Sequence, residues 1–333
     1  MTELQKYLAE EVAEDLTDGI ITRREAMRRL GLLGVSGAAA SALLAAGGTA
    51  AAPAAGRKRG RRRRDGSMTE WEPVATEEIT FDGPDGTLMA AWARASKPRG
   101  AVLVIHENRG LNDHIRTVAG RFAASGYSAL ALDLLSEEGG TDSFPDEAAV
   151  AAALAQVPPE RFDADMKAAV TELKRRVRGK DLSAIGFCFG GGMIWRLLAA
   201  GEKRLSAAAP FYGPFPEGGS LRKARADVLG VYGGLDDRVN ATRDEAKAAL
   251  EEARLKHELL TFKLADHAFF NDTGPRFDPH AAAEAWRRVL NWFDDAGDHD
   301  LGHGGHDRDR DHGHGRDRDH DDKRGRGRGR DDD

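Results

Sequence analysis

The stretch Gly186-Phe187-Cys188-Phe189-Gly190-Gly191 leaves this chain few ways to fold. Residues 182–185 before it read as a short buried strand, and residues 191–200 after it as an apolar helix. A strand that turns at once into a helix strains the residue at the turn, here Cys188. It also crowds the positions two before and two after that residue. Gly186 and Gly190 fill those positions, where a Cβ would clash. A side chain held on such a turn projects from the sheet, so Cys188 is a candidate nucleophile. The plainer alternative is a small core thiol beside a flexible glycine turn.

The rest of the chain decides between the two. Strands are expected at residues 74–81 and 88–93, either side of the Gly83-Pro84-Asp85-Gly86 turn. Further strands are expected at 101–105, 127–132, 206–211, 227–232 and 258–264, and helices at 113–125, 145–157, 162–177, 242–257 and 279–293. Short apolar strands alternating with longer helices imply an α/β fold: a mostly parallel sheet with helices on both faces. In such sheets, functional side chains gather beyond the carboxyl ends of the strands. Glu107, Cys188, Asp236 and His267 all fall there. In this arrangement Cys188 attacks a carbonyl as a thiolate, and His267 takes the thiol proton and returns it to the leaving group. Asp236 holds the imidazole tautomer and stabilises its charged form, with Asp237 as the rival acid. The order nucleophile, acid, histidine along the chain is that of the α/β-hydrolase fold.

Three segments together, residues 186–191, Tyr232-Gly233-Gly234-Leu235-Asp236 and Asp266-His267-Ala268-Phe269-Phe270, resemble the dienelactone hydrolase family over residues 74–293. The resemblance implies a Cys-Asp-His triad that cleaves lactones and related esters without a cofactor. It also implies that Glu107 pairs with the resting cysteine, although a carboxylate there could instead bond loop amides. The backbone N–H groups of Asn108 and Phe189 are the expected oxyanion hole. The chain departs from the family at two substrate-anchoring arginines, having Leu134-Leu135-Ser136-Glu137-Glu138 and Phe269-Phe270-Asn271 at those places. Neutral esters or lactones are therefore expected to outperform carboxylate-bearing ones, unless Arg109 or Arg238 supplies a replacement.

The two ends read differently. Residues 1–55 form a signal-like segment: an acidic helix candidate at 3–16, then Thr22-Arg23-Arg24, an apolar run at 30–46 and Ala50-Ala51-Ala52. The paired arginines resemble the twin-arginine type, although Ala26 stands where that motif usually has a large apolar residue. This predicts export to the periplasm or the exterior, with the twin-arginine machinery as the precursor's partner. A basic linker follows at 56–73, with seven basic residues among the eight from 57 to 64. It lacks the aromatic interleaving of a nucleic-acid site, so no specific nucleic acid is expected, and contact with an anionic cell surface is an option. Residues 294–333, with 14 acidic, 9 basic and 6 histidine side chains, predict a disordered tail. The single cysteine excludes an intramolecular disulfide and any multi-cysteine metal site. The expected protein is a monomeric hydrolase acting on a small-molecule ester or lactone. The alternative is a non-catalytic exported protein for surface interaction or metal buffering, built on a disused hydrolase scaffold.

Overall fold

A computed structural model describes residues 1–46 and 72–302. Eight strands form one sheet: β1 (Glu77–Asp82), β2 (Thr87–Ala93), β3 (Gly100–Ile105), β4 (Tyr127–Leu132), β5 (Asp181–Phe187), β6 (Ala207–Phe211), β7 (Asp227–Gly233) and β8 (His257–Phe262). Their order is β1-β2-β4-β3-β5-β6-β7-β8. The β1–β2 and β2–β4 pairings are antiparallel, and the others are parallel. The expected α/β-hydrolase fold is thus present, with an antiparallel hairpin at one edge. The inner strands β3, β4 and β6 are buried at every residue, which accounts for their largely apolar sequences; Ser128 in β4 is the polar exception, and its hydroxyl accepts from the Ala95 amide.

Helices connect the strands. After three N-terminal helices come α4 (Asp113–Ala124), α5 (Glu147–Leu154), α6 (Pro159–Arg176), α7 (Phe189–Ala199), the short α8 (Asp237–Asn240), α9 (Arg243–Ala253) and α10 (Pro279–Gly302). Several begin where a side chain satisfies an orphan amide: Asn112 caps α4 and Asp146 caps α5. The last helix runs nine residues beyond the expected tail boundary at 294. Asp294 stays ordered there because it accepts hydrogen bonds from Arg99 and Tyr127. Residues 303–333 and the linker arginines 57–64 lie outside the described residues.

The N-terminal segment is folded against the domain. It comprises α1 (Glu3–Thr17), α2 (Arg23–Leu32) and α3 (Gly37–Ala46). Thr2 and Gln5 close a capping box at the start of α1, and Thr22 caps α2. The apolar run of residues 30–46 is not one helix, because the chain turns at Gly34, whose φ is +79°. No described helix is long and apolar enough to cross a membrane. Ala26, the departure from the twin-arginine pattern, is fully buried, so a small residue has a packing reason. Arg28 and Arg29 are tied by Asp146, Glu25 and Asp15, whereas Arg23 and Arg24 are exposed.

Candidate active site

Cys188 sits between β5 and α7 with φ 55° and ψ −119°, a left-handed conformation that a non-glycine residue adopts only under constraint. The constraint is close packing. A Cβ on Gly186 would lie 2.1 Å from the Gly190 carbonyl oxygen, and one on Gly190 would lie 2.5 Å from the carbonyl oxygens of Ile105 and His106. The Cys188 amide donates to the Phe211 carbonyl at 3.0 Å, which locks the turn onto β6. Phe189 opens α7, so its amide is a first-turn donor with no acceptor inside the helix.

Asp236 leaves β7 and caps α8. One carboxylate oxygen accepts from the Val239 amide at 3.0 Å, and the other lies 2.6 Å from His267 Nδ1. Asp236 is wholly buried, while Asp237 is exposed, so Asp236 is the one of the two whose carboxylate meets the histidine. Among the described residues the second imidazole nitrogen, Nε2, has no hydrogen-bond partner, and the ring lies within 4.8 Å of the Cys188 sulfur. Burial opposes charge on both members of the His267–Asp236 pair. Their mutual attraction outweighs it, so His267 is held above and Asp236 below its ordinary range. Burial pushes the Cys188 thiol above its usual value and the Glu11 carboxylate adds to this, with His267 acting in the opposite sense.

Glu11 is the residue that sequence reasoning missed. It belongs to α1, is 9% exposed, and accepts from the Cys188 thiol at 3.5 and 3.6 Å. The Tyr7 hydroxyl, one turn earlier, lies 3.3 Å from the same sulfur. The pairing expected of Glu107 is therefore made by Glu11. Glu107 is buried, with one oxygen accepting from Asn271 Nδ2 at 2.7 Å and the other unpartnered. Its loop is braced by His106, whose Nδ1 meets the Glu107 carbonyl at 2.6 Å and whose Nε2 accepts from the Leu134 amide. Among the described residues, Glu11, Cys188 and His267 are the group whose donors are close enough together to hold a metal ion.

A cavity of about 30 Å³ remains over the thiol, room for a water or two. Glu11, Asp15, Glu107, Asn108, Arg109, Cys188, His267 and Arg276 border it. Arg109 also faces Glu147 at 3.5 Å, so it is both a wall residue and an ion-pair partner. Glu137 and Glu138 do not line the cavity, because both pair with Arg161. Phe269 and Phe270 are fully buried in an aromatic cluster with Phe211 and are likewise absent from the wall.

The family profile described as "Dienelactone hydrolase family" matches residues 88–297. The chain belongs to the dienelactone hydrolase family. It is 34% identical over 211 residues to an Escherichia coli O157:H7 protein, covering 59% of this chain and 77% of that one. It is 34% identical over 233 residues to a Salmonella typhimurium protein, covering 65% and 84%. Both are named "Putative carboxymethylenebutenolidase". Among solved structures, a dienelactone hydrolase-like promiscuous phosphotriesterase from metagenomic libraries superposes with TM-score 0.59 at 25% identity, covering 68% of this chain and 99% of that one. A Klebsiella pneumoniae "Putative Dienelactone Hydrolase" gives TM-score 0.58 at 28% identity, covering 67% and 99%. The profile match begins at residue 88, so α1, with Tyr7 and Glu11, lies outside it.

Proposed function

We propose that the protein hydrolyses small esters or lactones through a Cys188 acyl-enzyme. The observation that carries this reading is Cys188 on its strained turn beside a histidine whose far nitrogen is held by buried Asp236. His267 Nε2 takes the thiol proton and the sulfur attacks the carbonyl carbon. The resulting oxyanion is met by the amides of Phe189 and Asn108. Collapse expels the alkoxide, which His267 protonates, leaving a thioester on Cys188. Water then attacks the thioester with His267 as base, releasing the acid and restoring the thiol. Glu107 holds Asn271 and places negative charge near the sulfur, a positioning role. The test is Cys188→Ala: turnover of small activated esters should vanish while the circular dichroism stays the same. Equal turnover by the variant would end the assignment. The surface-interaction reading rests on residues 57–64 and on tail histidines, mostly outside the described residues, and no observed contact favours it.

We also propose export by the twin-arginine route, supported by exposed Arg23 and Arg24 ahead of an apolar run and small residues at 50–52. That route suits a protein that folds before it is moved. Arg23→Lys with Arg24→Lys should leave the precursor inside the cell, and unchanged secretion would argue against the route.

A further inference from the structure

The helix that covers the thiol brings acid to a basic rim. Along α1, Tyr7, Leu8, Glu11, Val12 and Asp15 share the buried face, so two carboxylates sit among the apolar contacts. Glu11 reaches Cys188, and Tyr7 stands between Cys188 and Arg238, whose guanidinium lies 4.5 Å from the ring centre. Arg238 also donates to Glu14 at 3.3 Å. Arg276 donates to Asp15 at 3.0 Å and to Asp18 at 2.6 Å. Each cation comes from the hydrolase domain and each of these anions from the N-terminal segment. With α1 in this seat, the space over the thiol holds a water or two but not an ester. The Cys188 sulfur is itself met by the Tyr7 hydroxyl at 3.3 Å and the Glu11 carboxylate at 3.5 Å.

We propose that α1 is an autoinhibitory plug, seated on Cys188 by Tyr7 and Glu11 and held at the rim by Arg238 and Arg276. It must leave before substrate reaches the nucleophile. The proposal rests on the hydrolase reading for its effect on turnover, but not for its effect on access to the thiol. The plug is made of this chain's own residues, so its release is a first-order event; it is opposed by the apolar contacts of Leu8 and Val12 and by rim ion pairs, of which salt weakens the latter. Once it lifts, Arg238 loses its carboxylate partner at Glu14, and among the described residues Arg276 keeps Asp266 at 3.8 Å. Glu107, already beside the site with one oxygen unpartnered, is then the remaining carboxylate near the sulfur.

The lone cysteine makes the test direct. In the full-length chain, Asp15→Asn with Asp18→Asn removes the grip on Arg276 without touching the nucleophile, histidine or acid. Iodoacetamide should label Cys188 about ten-fold faster or more, and turnover of a small p-nitrophenyl ester should rise in parallel. Added salt should speed labelling of the wild type towards the variant's rate. A second form guards against misfolding: a site-specific protease sequence is placed within residues 56–66, and the chain is cut only after folding. Gel filtration in high salt should then strip off the N-terminal piece and raise both rates. Faster labelling without ester turnover upholds the plug and refutes the hydrolase reading. Turnover with labelling unchanged in both the variant and the stripped form refutes the plug.

Discussion

Replacing Asp236 with Asn isolates what the buried acid does for His267. The replacement keeps the cap on α8, because the Asn side-chain oxygen can still accept from the Val239 amide. It then turns an NH₂ group towards Nδ1, 2.6 Å away in the wild type, where the imidazole needs an acceptor. The histidine must move its proton to Nε2, the nitrogen that should receive the thiol proton. Loss of one hydrogen bond to a charged group costs about 1.5–3 kcal/mol in transition-state stabilisation, about ten- to a hundred-fold in rate. The wrong tautomer adds to this, since a triad whose acid is neutralised in place loses about 10⁴ in kcat. Asp236→Asn should therefore lower kcat/KM for a p-nitrophenyl ester by at least about a hundred-fold, with the fold unchanged. Asp237→Asn, at an exposed position, should stay within about two-fold of wild type. Equal losses in the two variants would refute the assignment of the acid.

Gly190→Ala should destabilise the protein by about 1–3 kcal/mol or more in chemical denaturation, because its Cβ meets backbone carbonyls that cannot yield. Gly37→Ala, on a helix with nothing within 4 Å of the new carbon, should be neutral or slightly stabilising. Glu11→Gln removes the carboxylate that adds to the upward push on the thiol, so the alkylation profile of Cys188 should move to lower pH. An unmoved midpoint would separate that charge from the thiol. For stability, Asp236 has a depressed folded value, so its contribution is present above its unfolded value, about 3.9. The gap in denaturation midpoint between wild type and Asp236→Asn should narrow as pH falls through that depressed value. A gap that widens in acid would reverse the sign.

The core of the site was legible because its cause is local. Gly186 and Gly190 are demanded by the turn, and their positions announce Cys188 without reference to anything distant. The inner strands such as β3 were legible for the same reason, as apolar runs between polar stretches, whereas the half-exposed edge strands β1 and β8 were placed a few residues off. The choice between Asp236 and Asp237 was not, since it depends on which carboxylate the start of α8 buries. The direction of Glu137 and Glu138, which stand where the family has an anchoring arginine, was not legible either: their partner Arg161 is 23 or more residues away and turns them aside. The placement of Glu11 lies furthest from local reasoning, 177 residues before the sulfur it meets. A signal did exist: Glu11 and Asp15 fall on the same helical face as Leu8 and Val12, and an ionisable side chain on a buried face needs a partner. The segment read as an address for export also lays its first helix over the site.

The separation between Cys188 and its two covering side chains bears on the order in which the protein assembles. Contacts spanning 177 and 181 residues form only after the intervening chain has been brought together. The sheet and its strained turn draw on nearer neighbours, so covering the thiol carries the larger loop-closure cost. A single terminal helix, joined to the domain by one apolar face and by ion pairs at its rim, is also a unit that can open while the sheet stays intact. Native-state hydrogen exchange should find the amides of α1 opening well below the free energy at which β3 and β5 open. A finished core would thus coexist with a brief, recurring uncovering of its one reactive sulfur.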